Sequence, residues 1–284
     1  MRRIGARGCV PAMRAENDRL RPTDRRKHAA AAIPAAFASP WLFFAAAFCW
    51  SWSIWLLAAV SGASVATDAR TALLRLGLLG PMLAGIGCTW LSEGKAGRRE
   101  YWSRIIDPGR ISPRWCSVIV LFVPMLMAIA ALLAIASGDD RLPAEIGERA
   151  AALVGTPSML AAFLAATLIN GPLPEELGWR GYALDRLQSR WSALISSVIL
   201  GAIWALWHLP LFFIKGMRHY AEGLGSLWFW LFMAGTVPTA VVFTWIFNNT
   251  RRSTLGAIGF HFMVNVTYEF GDVDDRINLI ATLM

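Results

Sequence analysis

Two adjacent carboxylates, Glu175 and Glu176, open a helix-like stretch that reads NGPLPEELGWRGYALDRLQSR from Asn170 to Arg190. Arg180 follows Glu176 by four residues, the spacing of a helix ion pair. Downstream, two apolar runs each carry a histidine. His208 sits in AIWALWHLPLFF, and His261 in FHFMVN, where Asn265 projects from the same helix face one turn later. A carboxylate and an imidazole in a site of low dielectric can take a proton from water and later give one to a leaving amine. A second imidazole and an amide can donate hydrogen bonds to the oxyanion of a tetrahedral intermediate. Together these groups suffice for peptide hydrolysis without serine or cysteine. Glu175, His208 and His261 also match a known ligand combination for one Zn2+, although the zincin pattern His-Glu-x-x-His is absent. The residues alone leave both a metal-free site and a zinc site open.

Each group has a plainer reading. Glu175 and Glu176 follow Pro174, and carboxylates are favoured in the first turn of any helix. A histidine among aromatics is more often a satisfied core residue, and His-x-x-x-Asn occurs by chance. Neighbouring helix positions point about 100° apart, so an Arg180–Glu176 pair would leave Glu175 free for another task. The functional reading rests on the company these residues keep. A charged side chain at a bilayer centre costs roughly 2.5–3.5 kcal/mol, so polar groups on apolar segments must face one another or water.

The segments that position them are apolar throughout. Of 284 residues, 56% are hydrophobic and 16% charged, and the charges cluster between long uncharged runs. A helix needs about 20 apolar residues to cross the hydrocarbon core, and runs of that length recur along the chain. The expected fold is all-α: a polytopic transmembrane helix bundle of about seven spans. They fall at 41–60, 71–91, 115–137, 150–169, 191–214, 224–247 and 255–268, with an eighth if the apolar tail 277–284 begins another. Three parts are expected: a basic cytoplasmic tail (1–39), the first three spans with a basic loop (40–149), and a second half carrying the polar residues (150–284). Tyr101, Trp102, Ile105 and Ile106 in the basic loop 92–114 suit a short interfacial helix.

The formal charge is +8, with Arg2, Arg3, Arg7, Arg14, Arg19, Arg21, Arg25, Arg26 and Lys27 in the tail. Arginines ahead of a first span retain the N-terminus in the cytoplasm, so lipid headgroups rather than nucleic acid are the expected partners. On that count the loop 92–114, the stretch 170–190 and the pair Arg251–Arg252 also fall on the cytoplasmic side. Four cysteines with no CxxC pair suggest neither a disulfide framework nor a thiolate zinc site. No internal repeat is visible, so the inverted-repeat plan of many transporters is not indicated.

Taken in order, Glu175-Glu176-x-x-x-Arg180, Trp204-x-x-x-His208 and His261-x-x-x-Asn265 resemble the three motifs of the CAAX-protease and bacteriocin-processing (CPBP, or ABI) family of intramembrane proteases. That family includes type II CAAX prenyl endopeptidases and lysostaphin-resistance proteins. The resemblance covers about residues 150–268, and it departs at Trp204, where the family usually has Phe. It implies an intramembrane endopeptidase acting on a membrane-associated protein or peptide. Its expected location is a bacterial inner (plasma) membrane. Glu175 and His208 match the water-activating pair, His261 and Asn265 the oxyanion-stabilising pair, and Glu176 and Arg180 supporting positions. The family has been described both as zinc-dependent and as metal-free. A non-enzymatic immunity or scaffold protein on the same fold, and a proton-coupled transporter, are the competing classes.

Overall fold

Four apolar helices begin at a hydroxyl cap. The side chains of Ser39, Thr156, Ser192 and Ser226 accept from the backbone N–H of Trp41, Met159, Ile195 and Phe229, satisfying donors that an apolar first turn cannot. A computed structural model of the chain describes residues 39–61, 68–138 and 142–271. The basic tail up to residue 38 and the apolar tail 277–284 lie outside them. The described residues form helices α1 (Pro40–Val60), α2 (Asp68–Leu78), α3 (Gly80–Ser92), α4 (Lys95–Ile106), α5 (Pro113–Ala136), α6 (Leu142–Val154) and α7 (Pro157–Ile169). They continue with α8 (Pro172–Gly178), a π-helical turn (Trp179–Ala183), α9 (Leu184–Gln188) and α10 (Ala193–Trp207). A 3-10 turn (Leu209–Phe213), α11 (Arg218–Glu222), α12 (Leu227–Asn249) and α13 (Thr254–Gly271) complete them. No strand occurs among the described residues.

Among the described residues five helices are long and apolar enough to cross a membrane: Pro40–Val60, Ala69–Ser92, Pro113–Ala136, Ala193–Phe213 and Leu227–Asn249. A sixth is present if Ile146–Ala152 and Pro157–Gln188, bent by 97°, form one broken span. Large apolar side chains point outward from these helices, among them Leu132, Leu194 and Trp230. Such a surface is stable against hydrocarbon and not against water. The chain is an integral membrane protein built as a polytopic helical bundle.

Where 150–169 was expected as one span followed by a separate helix-like stretch, the structure differs. The chain turns at Gly155–Thr156, and the helical body that starts at Pro157 runs on to Gln188. Asn170 and Gly171 interrupt it only as a turn. Pro172 and Pro174 lack the N–H groups that would join α8 to α7, yet both suit a first turn, so the axis breaks and resumes. Glu175 thus lies in the first turn of α8, just past the Asn170–Gly171 break and inside the longer helical body.

Two features lock α8 in place. At the Gly85–Gly178 crossing α3 and α8 touch backbone to backbone: a methyl on Gly178 would lie 2.4 Å from the carbonyl oxygen of Pro81. The expected interfacial helix is α4, and it braces the π turn. A π turn shifts the hydrogen-bond ladder and leaves carbonyls to be satisfied from outside. Tyr101 Oη donates to the carbonyl of Leu177 at 3.0 Å, and Arg104 Nη2 donates to that of Gly181 at 2.8 Å. Arg104 also pairs with Asp185, which Arg252 holds from the other side. One apolar core, with Phe43, Trp179, Trp207, Phe243 and Phe260 among its members, joins α1, the π turn, α10, α12 and α13.

Candidate active site

The sequence-predicted residues meet where α8, α10 and α13 converge. Glu176 and Arg180 are fully buried and form the expected ion pair, with Arg180 Nη1 at 2.8 and 3.0 Å from the two carboxylate oxygens. The guanidinium lies over the faces of Phe243, at 4.0 Å, and Trp204, at 4.9 Å. Its Nε and Nη2 have no hydrogen-bond partner among the described residues. A charge this deeply buried is tolerated only because it is paired, and Glu176 is the pairing group.

Glu176 has a second partner, absent from the sequence reading. Its Oε1 is 2.9 Å from Nδ1 of His261. The carboxylate therefore links α8 to α13 and fixes the His261 ring, which also stands edge-on to Trp204 and Phe243. With Nδ1 turned to Glu176, only Nε2 of His261 is left for other work.

Glu175 points to a different neighbour, as the 100° offset requires. The indole N–H of Trp204 donates to its Oε2 at 2.6 Å. Glu175 is itself buried, at 5% exposure, so this bond steadies a carboxylate that has little water to lean on. A phenylalanine at this position would have no such donor. Sequence reasoning treated Trp204 as an aromatic replacement and missed this role; a donor-bearing ring one turn before His208 was the available signal.

His208 closes α10, and Pro210 explains how. Pro210 has no N–H for the Leu206 carbonyl and its ring crowds it, so the α-helix ends at Trp207 and tightens into the 3-10 turn. The backbone N–H of His208 bonds Ala205. The carbonyl of Trp204, freed by that shortening, lies 2.8 Å from Nδ1 of His208. A carbonyl can only accept, so Nδ1 carries the proton and Nε2 presents a lone pair. One residue, Trp204, thus orients Glu175 through its indole and His208 through its backbone.

Asn265 reaches the site beside Gly171. A methyl built on Gly171 would lie 3.0 Å from Nδ2 of Asn265 and 3.7 Å from Oε1 of Glu175. The missing side chain is what lets the amide and the unshared carboxylate oxygen approach the same space.

The zinc set does not assemble. Among the described residues no three His, Cys, Asp or Glu side chains are disposed to hold one ion, Glu175, His208 and His261 included. The Nδ1 atoms of the two histidines are committed to Trp204 and Glu176, which leaves each Nε2 available.

Residues 157–267 match the family model described as type II CAAX prenyl endopeptidase, Rce1-like. The chain is also 28% identical over 247 residues to "CAAX prenyl protease 2" of Methanococcus maripaludis, covering 86% of this chain and 89% of that protein. Over residues 157–267 the chain thus resembles the Rce1-like CAAX endopeptidases. It is a membrane peptidase. The matched stretch of this endopeptidase runs from α7 into α13 and contains all six residues singled out by type and spacing.

Proposed function

We propose that this protein is an intramembrane endopeptidase that hydrolyses a peptide bond of a membrane-associated substrate with water activated between Glu175 and His208. The observation that carries the reading is the double use of Trp204, which aims one carboxylate and one imidazole lone pair from adjacent turns. Nε2 of His208 accepts a hydrogen bond from the water, and the free oxygen of Glu175 takes its proton as the water attacks the carbonyl carbon. The oxyanion that forms is held by the amide N–H of Asn265 and by an N–H at Nε2 of His261, whose Nδ1 rests on Glu176. Glu175 then returns the proton to the leaving nitrogen as the C–N bond breaks. Glu176 and Arg180 act at one remove, by fixing His261 and the helix that bears Glu175.

The name of the relative points to prenylated C-terminal CAAX sequences as the substrate class to test first. The loop charges support an N-terminus in the cytoplasm of a plasma-membrane protein. The test is cleavage of an internally quenched farnesylated CAAX peptide by protein reconstituted in liposomes, with an unfarnesylated peptide as comparison. Glu175→Gln and His208→Ala should each lower kcat by at least about 10²-fold while the protein remains folded. Full activity in either variant would remove the proposed mechanism; cleavage of both peptides alike would remove the prenyl preference.

A further inference from the structure

His219, on the short helix α11, was not part of the motif set, and the mechanism above leaves it unused. Its ring lies parallel to that of His208, at a 9° interplanar angle and 6.3 Å between centroids. Phe232 stands edge-on to both imidazoles, 5.2 Å from His208 and 5.0 Å from His219. Phe212 and Trp228 wall in His219 from two further directions, at 5.0 and 5.3 Å. Both ring nitrogens of His219 are sealed from solvent, and neither has a hydrogen-bond partner among the described residues.

A buried imidazole with two unused nitrogens is costly, and native proteins rarely leave polar atoms in that state. Three sides of this ring are aromatic, so the polar partner belongs on the fourth, towards His208. Burial, with His208 and Arg218 nearby, pulls the His219 pKa down to about 3, so the ring is neutral and keeps one donor and one acceptor nitrogen. The two rings are too far apart for a direct hydrogen bond. One water at the edges of the two parallel rings, where their nitrogens lie, can bond to both.

We propose that His219 is a positioning residue for hydrolysis: with Nε2 of His208 it holds the water that the reaction consumes. The inference rests on His208 being the water-orienting base partner. His219 touches no substrate atom in this arrangement; it acts through the shared water.

The experiment compares His219→Phe, His219→Ala and His219→Gln in liposomes, with the farnesylated quenched peptide as substrate and thermal unfolding measured alongside. Phe keeps the aromatic box but has no hydrogen-bonding atom. Both His219→Phe and His219→Ala should lose about 10- to 100-fold in kcat, the scale expected for a misplaced reactant, with KM within about twofold. His219→Gln, which restores a donor and an acceptor, should recover most of that loss. Exogenous imidazole should raise the rate of the Ala variant and leave that of the Phe variant unchanged. A Phe variant with wild-type kcat would show that the ring only packs, and would overturn the proposal. So would a loss confined to KM, or equal losses in the Gln and Phe variants when both unfold at the wild-type temperature. Glu175→Gln, run in parallel, separates the two ideas: if it is fully active, the mechanism itself fails whatever His219 does.

Discussion

The buried ion pair offers the sharpest test of how this site is held together. In Glu176→Gln the carboxylate becomes a neutral amide of the same shape. Arg180 then keeps the faces of Phe243 and Trp204 and one amide oxygen, but no counter-charge, in a place with no exposure to solvent. Two of its nitrogens already lack partners among the described residues. Breaking a buried pair by removing one partner typically costs about 3–5 kcal/mol. Two aromatic faces return roughly 0.5–2 kcal/mol each, but they are present before and after and so do not offset the change. The amide oxygen still accepts a hydrogen bond, so the expected loss for Glu176→Gln is about 3 kcal/mol, the lower end of that range. Arg180→Met leaves a buried carboxylate whose remaining partner is Nδ1 of His261, and a similar loss is expected. The double variant has neither charge, and Met fills much of the arginine stem's space. It should therefore be more stable than either single variant, with a coupling of about 2 kcal/mol or more. The assay is reversible unfolding in mixed detergent–SDS micelles, followed by tryptophan fluorescence, for all four proteins of the cycle. Additive losses, or single variants within about 0.5 kcal/mol of wild type, would refute the argument that Arg180 is tolerated only because Glu176 neutralises it.

Trp204→Phe removes the indole donor to Glu175 while keeping the ring between Phe243 and His261; kcat in the quenched-peptide assay should fall by about tenfold, the lower end for a hydrogen bond to a charged group. Gly171→Ala places a methyl 3.0 Å from the Asn265 amide, so activity should drop more than the unfolding temperature does, as paired rate and melting measurements would show. Tyr101→Phe deletes the bond to the Leu177 carbonyl and should cost about 1 kcal/mol in the same micelle unfolding assay. His219, whose pKa of about 3 lies below the ordinary histidine value of 6.5, binds its proton more readily in the unfolded chain. Its contribution to stability is complete above pH 6.5 and declines as pH falls towards 3. Unfolding free energies of His219→Phe between pH 6.5 and 4 should therefore vary less with pH than those of the wild type.

Much of this protein was legible in one sequence because its chemistry is segregated. Long uncharged runs demand a helical membrane bundle, since in lipid only internally bonded backbones are stable. Against that background Glu175, Glu176, His208, His261 and Asn265 stand out, and the four-residue spacing of Glu176 and Arg180 already implied their pairing. Pro210 likewise acts by a local rule: with no N–H for the helix ladder, it shortens the end of α10.

Contacts between segments distant in sequence decided the rest. No spacing rule links Glu176 to His261, 85 positions away, or Trp204 to Glu175, 29 positions away. Those bonds exist because α8, α10 and α13 converge, and that convergence depends on close packing such as the Gly85–Gly178 crossing. The division of the two glutamates, one tied to the structural cation and the other to the indole, followed from helix geometry only once those neighbours were known. The same holds for the zinc alternative: ligand types can be read along a chain, but whether three of them converge on one point is a property of the folded bundle, and among the described residues no such group is found. His219 left no signal in the sequence at all, because an imidazole on a short connecting helix acquires meaning only from the parallel ring it faces.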